Sequence, residues 1–123
     1  MKDDPLAMSM LFDFYGEVLT EKQKDFFDLY YNRDLSLGEI AENTGITRQG
    51  VRDVIVRATQ VLRVMEEKLL LVDRYKTIQN GLLEIHDAAA SIEAANNHHG
   101  GSASIRGYAQ RIQELAKQIA EKT

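Results

Sequence analysis

The chain has no cysteine, no tryptophan and a single proline in 123 residues. Without cysteine it forms no disulfide, offers no thiolate nucleophile and builds no cysteine zinc site. Helix breakers are few, and apolar-polar alternation by two never persists, so no strand is predicted. Long apolar runs are missing as well. The longest apolar cluster is broken by charge well short of the ~20 residues a spanning helix needs, so no membrane insertion is expected. The opening MKDDPLAM is acidic and lacks the sustained apolar stretch of a signal peptide. A cytoplasmic protein is the expectation. There is also no phosphate-binding glycine loop, no nucleophile elbow and no metal-ligand spacing. The acids Glu66, Glu67, Glu84 and Asp87 converge on no evident pocket, so the reading is a non-enzyme with no cofactor and no metal.

A hydrophobic share of 44% against 28% charged residues marks a folded chain, not a disordered one. The length suits one compact domain, or a small domain with a helical appendage. The net charge of −4 works against a nucleic-acid binder, because phosphate contacts supply most of the affinity. Its distribution softens that objection. Residues 1–34 hold eight acids and four bases, which accounts for the whole deficit. Residues 47–64 instead hold Arg48, Arg52, Arg57 and Arg63 against Asp53 alone.

Pro5, after Asp3 and Asp4, suits the first turn of a helix carrying Met8, Leu11, Phe12, Tyr15 and Leu19 at helical spacing. Thr20 with Gln23 forms a capping box for a second helix, with a buried stripe of Phe26, Leu29 and Tyr30. Asn32, Arg33 and Asp34 make a turn, and Ser36 with Glu39 forms another capping box. The sequence is therefore all-α. Its most informative stretch is LGEIAENTGITRQGVRDVIVR, residues 37–57, which reads as a helix-turn-helix. Ala41 permits close approach of a second helix, and Gly45 supplies the positive φ of the turn. Thr47 is an N-cap, while Ile40, Ile46, Val51 and Val54 face the core.

That pattern leaves Thr47, Arg48, Gln49, Arg52 and Asp53 on the outward face of the second helix, where such motifs meet a DNA groove. Arginine grips guanine O6 and N7, and glutamine grips adenine N6 and N7. Thr47, beside free helix N–H groups, suits a phosphate oxygen. Arg57 and Arg63 lie further along and suit backbone contact. Asp53 accepts from cytosine N4 or orients Arg52 or Arg57. Gly50 marks close approach, either of a DNA strand or of a neighbouring helix. His98 and His99 are read as a solvated turn, since adjacent loop histidines seldom converge on one ion.

The second helix shows no stop signal and continues through Ala58, Val61 and Met65 into Leu69–Val72. A heptad seam follows: Leu71, Tyr75, Ile78, Leu82, Ile85, Ala89 and Ile92. Gly81 within it marks a bend or break. After the turn at residues 96–101, Ser102 or Ser104 caps a last helix with Ile105, Tyr108, Ile112, Leu115 and Ile119. The two seams fit an antiparallel hairpin or a zipper between two chains. The expected division is residues 1–70, a helix-turn-helix domain, and 71–123, a helical dimerisation extension.

The blocks LFDFYGEVLTEKQ, LYY at Leu29–Tyr31 and LSLGEIAE, followed by GITRQGVRDVIVRA, resemble region 4 of bacterial sigma factors and, more closely, the YlxM-like family of small bacterial proteins. The resemblance covers about residues 8–76. It implies a sigma-region-4-like helix-turn-helix leading into the C-terminal hairpin. It also implies DNA contact through Thr47, Arg48, Gln49, Arg52 and Arg57. Family genes lie near those of the signal recognition particle GTPase and its receptor, which implies a regulatory or accessory role in that pathway. The expected protein is a DNA-binding homodimer. The alternative is an interaction module for the particle's protein or RNA, or for RNA polymerase.

Overall fold

The computed structural model describes residues 4–98 and 100–123, and among these the chain forms six α-helices and no strand. Asp3 and His99 lie outside the described residues. The chain divides into two compact units, Met1–Val72 and Asp73–Thr123.

In the first unit, α1 (Pro5–Tyr15) starts on Asp4, whose side chain accepts from the Leu6 N–H. Helix α2 (Glu21–Phe27) starts on the Thr20–Gln23 capping box, and both of its reciprocal hydrogen bonds are present. A π-helical turn, Asp28–Asn32, continues it. That wider turn explains why the expected stripe was incomplete. A π turn shifts the helical register, so the adjacent pairs Phe26–Phe27 and Tyr30–Tyr31 are all buried. Phe27 is fully enclosed, stacked on Phe12 at 4.9 Å between ring centres and tilted against Tyr31 at 4.7 Å.

Helix α3 (Leu37–Thr44) and helix α4 (Arg48–Leu69) complete the unit, and α4 packs against α1, α2 and α3. The inward residues of α4 are Val51, Ile55, Ala58, Thr59 and Leu62. Val54, Val61 and Met65, expected at the centre of the stripe, lie half-buried at its margin. The helix also stops where the sequence carries no breaker. Leu70 takes the left-handed conformation, φ 57°, which costs an L-residue about 1–2 kcal/mol. The compensation comes from Tyr15, far earlier in the chain. The Tyr15 hydroxyl donates to Glu66 Oε1 at 2.5 Å and accepts from the Leu71 N–H at 3.0 Å. Glu66 Oε1 also accepts from the Val72 N–H at 3.0 Å. Two orphan N–H groups at the start of the next helix are thereby satisfied.

In the second unit, α5 (Leu71–His98) and α6 (Ala103–Lys122) form an antiparallel hairpin within one chain. Gly81 causes no break: α5 is continuous through it. Ser102, not Ser104, caps α6 by accepting from the Ile105 N–H. Asn96 closes the turn by exchanging two 2.9 Å hydrogen bonds with the Ser102 backbone. Across the hairpin, Gln79 donates to the Ala120 carbonyl at 3.1 Å, and Gln113 donates to Glu93 Oε2 at 2.8 Å.

Candidate nucleic-acid interface

The sequence between α3 and α4 builds a sharp, fully capped turn. Ser36 and Glu39 exchange side-chain-to-backbone bonds at 3.1 Å, starting α3. Gly45 ends it in the left-handed region, φ 73°, with its N–H on the Ala41 carbonyl. Thr47 then caps α4, its hydroxyl oxygen accepting from the Gly50 N–H at 3.0 Å. Ile40 and Val51 are fully buried beneath the turn, with Ala41 and Ile46 packed against them.

The structure decides the role of Gly50. A Cβ there would lie 2.8 Å from Ile46 Cγ2 and 3.1 Å from Thr47 Oγ1. Close packing inside the turn therefore requires glycine, whatever approaches from outside.

Thr47, Arg48, Gln49, Arg52, Asp53 and Arg57 are all exposed. Spacing by four arranges them in two rows along the exposed surface of α4, Gln49–Asp53–Arg57 opposite its buried stripe and Arg48–Arg52 on the flank of that stripe. Asp53 accepts from Gln49 Nε2 at 2.9 Å, so it orients Gln49 and not an arginine. Among the described residues, no carboxylate comes within ion-pair distance of Arg48, Arg52 or Arg57. Arg63 is drawn the other way, with Nη2 3.8 Å from Met8 Sδ on α1.

Two exposed residues were absent from the sequence-based set. Val56, 40% exposed, and Gln60 extend the Arg48–Arg52 row. The same i+4 spacing would have found both, but an apolar Val56 in a valine-rich run reads as core until burial is known. The histidines assemble no site: among the described residues, no group of three or more metal-ligating side chains converges. His86 is 3.4 Å from Asp87, its own neighbour.

Two helices joined through a left-handed glycine, the second longer and faced with arginines, define a helix-turn-helix protein. Residues 2–99 match the family described as "Putative helix-turn-helix protein, YlxM / p13 like". The chain belongs to that family. A UPF0122 protein of Thermoanaerobacter sp. (strain X514) is 44% identical over 115 residues, covering 94% of this chain and 98% of its own. One from Acetivibrio thermocellus is 41% identical over 115 residues, with the same coverage of 94% and 98%. One from Shouchella clausii is 44% identical over 100 residues, covering 79% of this chain and 92% of its own. Among the described residues, no helix is long and apolar enough to cross a membrane.

Proposed function

We propose that the protein is a cytoplasmic DNA-binding regulator that acts as a homodimer and sets the first turns of α4 into the major groove. The observation that carries this reading is the trio Arg48, Arg52 and Arg57, exposed and without an acidic partner among the described residues. A guanidinium not neutralised by its own chain is available to phosphate and to guanine edges. In this reading Arg48 and Arg52 meet base edges, and Gln49, held by Asp53, meets adenine. Thr47 and Arg57 take phosphate oxygens, and Val56 meets a thymine methyl. Two copies supply two half-sites, because one such motif makes few contacts. In this reading the regulation acts in the signal recognition particle pathway, as the resemblance to the YlxM-like family implies. The role needs no catalysis and no cofactor.

The net charge of −4, gathered in residues 1–34, favours a second reading. Here the protein is an interaction module for the particle's protein or RNA, or for RNA polymerase, and keeps the fold without using it on DNA.

Fluorescence anisotropy against randomised duplex DNA at two salt concentrations separates them. The native chain is expected to bind in a salt-sensitive manner, and Arg48→Ala/Arg52→Ala to abolish that binding. On a selected site, Arg52→Ala is expected to cost ~1–3 kcal/mol at one base position. An equal loss on every sequence reassigns Arg52 to phosphate. No binding by the native chain at low salt transfers the conclusion to the second reading.

A further inference from the structure

The heptad seam of α5 does not face in one direction. Its Leu82 and Ala89 turn toward α6, together with Gln79, His86 and Glu93, while Ile78, Ile85 and Ile92 remain 45–50% exposed. Helix α6 repeats the arrangement. Ala109, Gln113, Ala116 and Ala120 turn inward, while Ile105, Ile112 and Ile119 are 40–50% exposed. On both helices an exposed isoleucine immediately precedes an inward residue: Ile85 before His86, Ile112 before Gln113. One residue is about 100° of rotation. Because the helices run antiparallel and the offset has the same sense on both, the two rows emerge on the same side of the hairpin. Two rows of isoleucine, each repeating every seven residues, therefore form one apolar layer.

We infer that this layer packs face to face against the same layer of a second copy, closing a four-helix bundle. The inference rests on the homodimer reading above and adds which surface makes the dimer. Three observations select a second copy. Among the described residues of the second unit the buried side chains are Ala89, Ala109 and Ala116, so it has no large apolar core of its own. With Leu115 and Tyr108, 39% and 71% exposed, the six isoleucines present several hundred Å² of apolar surface. That lies at the upper end of the ~300–600 Å² that the largest apolar patch of a monomer reaches and approaches the ~800 Å² per partner of a stable dimer. The layer is also self-complementary. Two matching rows on a two-helix layer are covered by another two-helix layer under a two-fold axis, whereas a single helix would leave a row bare. The rim carries both signs, Arg111 pairing with Glu114 at 3.4 Å, so it is not tuned to a partner of one charge.

Sedimentation equilibrium on the full chain tests this with two charged versions of the face, Ile85→Glu/Ile112→Glu and Ile85→Lys/Ile112→Lys. The native chain is expected to be a dimer, and each double variant alone to dimerise about 100-fold or more weakly, since like charges would enter an apolar layer. An equimolar mixture of the two variants is expected to recover a 1:1 dimer, which also shows that both remain folded. A native monomer overturns the inference and the homodimer reading together. A native dimer that both variants preserve overturns the inference alone, as does a pair of monomeric variants that fail to recover on mixing.

Discussion

Isoleucine has opposite fates in the two units. Ile40 and Ile55 are completely buried in the first, whereas Ile85 and Ile119 are half exposed in the second. The helical spacing of apolar residues is equally regular in both. The difference lies in what surrounds each helix. Helix α4 is flanked by α1, α2 and α3, so its stripe and the aromatic cluster of α2 bury one another. Within the second unit α5 and α6 have only each other, and they meet through alanines and hydrogen-bonded side chains. An apolar stripe states that a helix has something to bury; the number of neighbours decides whether it does so within its own chain.

The largest expected effect is in the first core. Phe27→Ala is expected to cost ~3–5 kcal/mol by urea unfolding, because it leaves a cavity beneath Phe12 and Tyr31. Ala109→Gly, at the buried seam of the hairpin, is expected to cost about 1 kcal/mol, mostly through helix propensity. Equal costs for the two would break the contrast between the units.

Next comes the junction. Tyr15→Phe removes both an acceptor for the Leu71 N–H and the donor to Glu66, with an expected loss of about 1–3 kcal/mol. Burial first, and the Glu66 hydrogen bond second, raise the Tyr15 hydroxyl above its ordinary value. A raised folded value means this contribution is complete below the ordinary tyrosine range and is lost as pH rises through the folded one. Alkaline unfolding of the native chain should show that loss, and Tyr15→Phe should lack it.

Smaller still are two glycine substitutions of opposite sign. Gly50→Ala should destabilise by about 1 kcal/mol or more, since its Cβ would strike Ile46. Gly81→Ala has nothing within 4 Å and should stabilise α5 by ~0.5–1 kcal/mol. Thermal melts of the two variants give the sign directly. The smallest effect is at Asp28, whose carboxyl is held below the usual range chiefly by the Asn32 amide and then by Arg33. Its contribution is present above the ordinary aspartate value and fades as pH falls through the folded one. An acid titration of Asp28→Asn should lack that component.

The caps and turns were legible. The capping boxes at Thr20 and Ser36, the cap at Thr47 and the left-handed turn at Gly45 each involve residues within a few positions, and all form as their side chains dictate. The outward placement of Arg48, Arg52 and Arg57 was legible for the same reason, since it follows from helical period alone. The Asp53–Gln49 bond was not, because Asp53 has several partners within reach on the exposed face and helical spacing does not rank them. Phe27 and Tyr31 escaped because a π turn alters the period on which the stripe was counted.

What the sequence determined by itself, then, is an all-helical chain with a capped helix-turn-helix and an arginine-faced second helix, because those features depend on contacts one to four residues apart. Tertiary structure alone decided two others. Leu70 ends α4 because Tyr15 and Glu66 secure the turn that follows it. The α5 seam parts into an inner and an outer row because α6 reaches only one side of it. Each of these depends on where a side chain meets a neighbour in space, and one-dimensional periodicity does not encode that position.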